Sequence, residues 1–217
     1  MPREITHVRK LRDCAEPLHL FLAGITPLRA SGRLGPVLIQ LPPYFEPRLD
    51  EFALKDFLFD LPRDWSFAVE FRHADWHQPR IVTLLENLGI CWVWNDLSSL
   101  SERDHAPFKI LPQTSDCLYI RLIGDLQTKY RGDGTRAFRY SSLLWPRESA
   151  LESWAVKIKR TLRKTKCVHI FANNHYEGFS PKTCQRLGRQ LGIEIPLPDM
   201  REIRAEAKAS DPQLQLF

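Results

Sequence analysis

Carboxylates, guanidiniums and amides fall at the ends of short apolar runs along this 217-residue sequence, and their spacing limits the chemistry open to them. In Val69-Glu70-Phe71-Arg72-His73, side chains alternate across a strand, so Glu70 and Arg72 share one face and Phe71 and His73 the other. Tyr119 and Arg121 share a face for the same reason. A buried ionic group needs a partner or a ligand, because its lost hydration is otherwise uncompensated. Two arrangements follow. Glu70 can pair with arginines in a structural ion network, or Arg72 and Arg121 can hold a phosphate or carboxylate with Glu70 as general acid or base. Ionic groups at the C-terminal ends of parallel strands usually serve a site, which favours the second.

Other strand ends extend the set. Gln40 precedes Pro42-Pro43, Asp96 is a second candidate catalytic carboxylate, and Asn173 and Asn174 can bond a sugar, a base edge or a phosphate. The asparagines can equally cap the turn that follows them. His73 and Trp76, beside Arg72, are candidates to line the site; His7 can also face the mouth, though an isolated His there is more often structural. Glu70, His73, Asp96 and His175 are of types that bind divalent cations, but no His-x-His or His-Glu-x-x-His spacing is present. A bound divalent cation is therefore the lesser alternative, and no other cofactor is expected. Gly-x-Gly-x-x-Gly, Walker and Gly-x-Ser-x-Gly motifs are absent too. The five cysteines are odd in number and lack a Cys-x-x-Cys pair, which argues against a disulfide framework and a structural zinc site. Cys91, Cys117 and Cys167 sit at or near the starts of apolar runs, where buried free thiols are the expectation.

The elements that must position these residues repeat. Val37–Leu41, Ser66–Arg72, Ile90–Trp94, Cys117–Leu122 and Val168–Ala172 are near-continuous apolar runs, as expected of parallel strands buried on both faces. Between them, Pro79–Leu88 carries an apolar stripe and stops at Gly89. Leu151–Leu162 has helical spacing, and Pro181–Leu191 opens after Ser180 as N-cap and stops at Gly192. Strands alternating with helices indicate a parallel α/β fold. A full β/α barrel needs eight such units, and five are visible here. Ser98–Thr114 and Gly124–Pro146 would lie over the strand ends, where loops carry function.

Several long motifs resemble one family in order. They are Ile5-Thr6-His7 with Leu11, Leu34 to Pro43, Val69 to His73 with Trp76, Tyr119-Ile120-Arg121 with Gly124, and Asn173-Asn174-His175-Tyr176-Glu177-Gly178. Together they resemble the YecE-like family, also called domain of unknown function 72, to about Gly192. The resemblance implies a TIM-type β/α barrel whose activity is not established. The family's first strand, of Gly-Thr-Ser-Gly-Trp type, and its Glu-containing second strand have no counterpart, and Met1 to His7 resembles the end of the third. That implies an N-terminally truncated barrel of about five of eight strands, through a shortened product or a late-assigned start. The expected organisation is a partial barrel over residues 1–200 and a charged tail over 201–217.

Apolar residues make up 43% and charged ones 26%, a globular composition, and no apolar run approaches the ~20 residues that span a bilayer. No signal peptide opens the chain, so a cytoplasmic, bacterial-type protein is the default. The formal charge of +5 is concentrated in Lys157–Lys166, which reads as the solvated face and cationic end of a helix, with phosphate contact as the alternative. The terminal Gln213-Leu214-Gln215-Leu216-Phe217 resembles the short peptides that dock on the bacterial DNA polymerase sliding clamp. In that role Gln213 anchors and Leu214, Leu216 and Phe217 enter an apolar pocket; the alternative is a tail packed on its own barrel. The functional expectation is a hydrolase-type enzyme acting on a phosphorylated or nucleic-acid-derived substrate. The alternatives are a non-catalytic adaptor tethered to the clamp and an inactive truncated form.

Overall fold

The computed structural model describes residues 1–96, 111–124, 140 and 142–197. Among them the elements run α1 (Ala15–Ala30), β1 (Val37–Gln40), α2 (Pro47–Asp60), β2 (Phe67–Glu70), α3 (Pro79–Leu88), β3 (Cys91–Asn95), β4 (Cys117–Leu122), α4 (Glu148–Thr161), β5 (Cys167–Ala172) and α5 (Ser180–Leu191). The strands form one sheet in sequence order, β1-β2-β3-β4-β5, with β1 to β4 paired in parallel. This is the α/β, TIM-type architecture expected from the alternation of apolar runs and amphipathic segments. No described helix is long and apolar enough to cross a membrane.

Two compact units divide the described chain. The first holds α1 to α3, β1 to β4 and residues 160–171; the second holds the described residues of 126–159 and those from 172 onward. In the first unit the sheet is rolled, as two contacts on its inner face show. In a flat sheet, four steps of about 4.8 Å would separate β1 from β5 by about 19 Å. Instead, a Cβ built on Gly35, just before β1, would lie 3.2 Å from Cε1 of His169 on β5. Arg121 on β4 likewise reaches Gln40 on β1, Nη1 to Oε1 at 3.1 Å. Between these contacts, Ala68, Cys91, Val93 and Tyr119 form a buried cluster on the concave side, flanked by Leu38.

Local chemistry explains the elements. α3 buries Ile81 and Leu85 one turn apart, and Gly89 at φ +64° closes it. Thr114 ties the entry of β4 to β3: its hydroxyl donates to the Ile90 carbonyl (2.6 Å) and accepts from the Trp92 amide (2.8 Å). α2 begins at Pro47, and the buried Asp50 carboxylate accepts from the Glu46 amide (3.1 Å) and pairs with Arg12 (2.8 Å).

The structure differs from the sequence reading in places. Strand limits shift by at most two residues, and β4 keeps the expected ones. The N-cap of α5 is Phe179 rather than Ser180, which is the first helical residue. Glu4–Val8, expected to end a strand, is a single π-helical turn, and the amino group of Met1 donates to the Leu38 carbonyl (2.9 Å). The tail from 198, with Gln213 to Phe217, and most of the two loops expected over the strand ends lie outside the described residues.

Candidate functional site

Glu70 is the centre of the polar cluster in the first unit. It ends β2, and its side chain is fully buried. Nε of Arg72 donates to Oε1 (3.0 Å), and Nη1 of Arg121 donates to Oε2. Gln40, at the end of β1, bridges the two guanidiniums: its Oε1 accepts from Nη2 of Arg72 (3.0 Å) and from Nη1 of Arg121 (3.1 Å). The sheet's curvature brings together residues from β1, β2 and β4, with Arg72 just past the end of β2. Both arginines are mostly covered, with side chains 18% and 23% exposed. Each guanidinium carries five N–H donors in a fixed fork. Among the described residues, Nη1 of Arg72 and Nε and Nη2 of Arg121 are not used in these bonds, so with respect to those residues each arginine keeps donors for a further acceptor.

His7 lies within electrostatic reach of Arg72. The Nδ1 of His7 shares a hydrogen bond with the Thr6 hydroxyl (2.8 Å). Burial, with the charges of Arg3 and Arg72 behind it, lowers its pKa, so His7 is held neutral near pH 7. His73 accepts from the Asp75 amide at Nδ1 (3.3 Å), which caps a one-turn 3-10 helix, Ala74–Trp76. The sequence offers His7 as a residue that can face the mouth, with a structural role as the commoner reading; the position of Arg72 shows its relation to the cluster. Tyr119, one layer below Arg121, stacks on Phe171 with centroids 5.0 Å apart, and burial raises its pKa.

Other sequence candidates are placed differently. Trp76, expected to line the site, is completely buried, stacked on Phe45 (5.4 Å) and Phe71 (5.3 Å), and its indole N–H donates to the Phe45 carbonyl (2.7 Å). It forms part of the core because the Phe71 face of β2 points away from the concave side. Asp96 accepts at Oδ1 from the amides of Ile123 and Gly124 (3.2 Å to the latter), fastening the ends of β3 and β4. Asn95 donates to the Phe71 carbonyl (3.4 Å).

Asn173 and Asn174 belong to the second unit. Oδ1 of Asn173 accepts from the His175 amide (3.0 Å), and Oδ1 of Asn174 from the Ser180 amide (2.8 Å), so each oxygen caps a turn. His175 meets the Tyr140 hydroxyl at Nδ1 (2.8 Å). Beneath them Glu177, fully buried, accepts from the Arg147 amide (2.7 Å) and from Arg186, which also binds Glu148. These two carboxylates raise the pKa of Arg186, against the opposing effect of burial. The sequence reading missed this ion network, because Arg186 carries no signal beyond its place on an amphipathic helix.

A rolled parallel sheet with an arginine pair at its strand ends defines an α/β protein of the TIM-barrel class with a cationic mouth. The sequence profile of the family described as protein of unknown function DUF72 matches residues 1–207, and the chain belongs to that family. YecE of Escherichia coli K12 is 39% identical over 72 residues, which cover 33% of this chain and only 25% of YecE. The crystal structure of a DUF72 family protein from Thermotoga maritima superposes with a TM-score of 0.70 at 28% identity, covering 88% of this chain and 71% of that one. A DUF72 family protein from Enterococcus faecalis, 16% identical, shares the fold with a TM-score of 0.63 over 85% of this chain and 68% of its own.

Proposed function

We propose that the concave mouth of the first unit binds a small phosphorylated or otherwise anionic ligand, and that it serves hydrolysis of a phosphorylated or nucleic-acid-derived substrate. The arrangement around Glu70 carries this reading. One buried carboxylate holds two guanidiniums, so the cluster keeps one net positive charge and, among the described residues, unused donors. Fixed guanidinium donors suit phosphate and carboxylate oxygens and cost little reorganisation when charge develops in a reaction. Glu70, with both oxygens taken by guanidiniums, acts as a positioning residue, and proton acceptance falls to His7, neutral and within electrostatic reach of Arg72.

The test is a thermal-unfolding panel with inorganic phosphate, pyrophosphate, nucleoside monophosphates and simple carboxylates, followed by hydrolysis assays on ligands that stabilise. Phosphorylated ligands should stabilise the wild type and fail to stabilise Arg121→Ala. His7→Ala should keep binding and lose turnover. Wild-type binding and turnover in both Arg121→Ala and Glu70→Gln would overturn the reading.

A second reading rests on the terminal Gln213-Leu214-Gln215-Leu216-Phe217, whose Leu216 and Phe217 would enter the apolar pocket of a bacterial sliding clamp. Deleting these residues should abolish co-purification with the clamp. Unchanged binding would rule it out.

A further inference from the structure

Cys117, Cys167 and His169 stand together on the concave face of the first unit, with Sγ, Sγ and an imidazole nitrogen all within 4.8 Å of one another. Cys117 opens β4 and Cys167 opens β5, while His169 lies two residues on, on the same face of its strand. The anion cluster is at the other end of these strands: Cys117 and Arg121 are four residues apart on β4, about 13 Å at strand rise.

We propose that Cys117, Cys167 and His169 form a binding site for a thiolate-seeking metal ion of the zinc class. Three observations support it. First, the donor set of two sulfurs and one imidazole is the combination such ions prefer over harder cations. Second, the spacing is close to what coordination needs. Bonds of about 2.3 Å in a tetrahedron put two sulfurs about 3.8 Å apart, so the side chains need close by no more than about 1 Å. Third, the ring of His169 lies between neighbours: a Cβ at position 35 would come within 3.2 Å of its Cε1, and Tyr119 packs beside it (centroids 6.2 Å). Cys117 is buried whereas Cys167 is exposed and His169 half-buried, which gives an ion a way in. Three protein ligands leave a fourth position for water or an exogenous ligand. The ion would fasten β4 to β5 at the N-terminal end of the sheet.

The experiment titrates cobalt(II), then zinc, into chelator-stripped full-length protein kept reduced with a phosphine. One equivalent of cobalt should bind per chain, with thiolate-to-cobalt charge-transfer absorption and tetrahedral ligand-field bands. Cys167→Ser, at an exposed position, and His169→Gln should each weaken zinc binding by about a hundredfold or more, as befits loss of one ligand of a small set. Cys14→Ser should bind as the wild type does. Circular dichroism confirms that each variant is folded. Cobalt bound without the thiolate band, or wild-type zinc affinity in folded Cys167→Ser, would overturn the proposal. So would reduced protein that takes up no ion, even if Cys117 and Cys167 join in a disulfide on oxidation.

Discussion

Replacing Glu70 with glutamine keeps the shape of the cluster and removes the one charge that holds two guanidiniums together. Arg72 and Arg121 would then face each other, mostly covered, around two neutral amides. Removing one partner of a fully buried ion pair costs about 3–5 kcal/mol. Here the side chains keep 18% and 23% exposure, so water recovers part of the loss and about 3 kcal/mol is expected. That is a large share of a typical total stability of about 5–15 kcal/mol. With a urea m-value of about 2 kcal/mol/M, the midpoint should fall by about 1.5 M, read from tryptophan fluorescence. Arg121→Met alone should cost about 2 kcal/mol, because Glu70 keeps Arg72. The double variant should cost about 3 kcal/mol, less than the sum, since removing Arg121 relieves the repulsion that Glu70→Gln creates. A coupling of about 2 kcal/mol is therefore predicted. Additivity to within about 0.5 kcal/mol would refute the view that Glu70 and Arg121 act as one unit.

Trp76→Phe should lose about 1–3 kcal/mol by leaving the Phe45 carbonyl without its indole donor, yet change phosphate affinity by less than about twofold; urea titration and calorimetry separate the two effects. Gly178→Ala should cost about 3 kcal/mol or more, read as a fall in melting temperature. Its φ is +102°, and the new methyl would lie 2.8 Å from the backbone at Leu144 and Ser142. Burial lowers the pKa of His77 and of His7 from the ordinary 6.5, so the folded state binds fewer protons than the unfolded chain. Their contribution is present above pH 6.5 and is lost as pH falls toward the folded-state values. Urea midpoints should therefore drop on acidification, and less so in His77→Gln; an unchanged drop in that variant would contradict the assignment.

The five strands are legible because parallel strands buried on both faces leave long apolar runs, and Gly89 and Gly192 punctuate the helices before and after them. α1 and α2 are not legible in the same way. α1 carries Pro27 inside it and exposes Leu20 and Leu28, while α2 exposes Leu49, Phe52 and Phe59, which blurs any apolar stripe. The alternation rule gives the shared face of Glu70 and Arg72, but no local pattern specifies that Gln40, 81 residues from Arg121, joins them; sheet curvature does that. The same applies to Cys117, Cys167 and His169, which come from two strands and so leave no metal-binding spacing in the sequence. The direction of Trp76 is not legible in the sequence, because it follows the strand in a short 3-10 turn, where alternation no longer tells which way a side chain points.

The central claim is that the guanidiniums fixed by Glu70 receive an anion. Side-chain nitrogen–proton correlation spectra of the arginines, recorded while pyrophosphate is added, test it most directly. The account predicts that the Arg72 and Arg121 signals move together and saturate at one equivalent, and that Arg121→Ala abolishes the shift at Arg72. Saturable binding that leaves both signals in place, or shifts confined to other arginines, would contradict it.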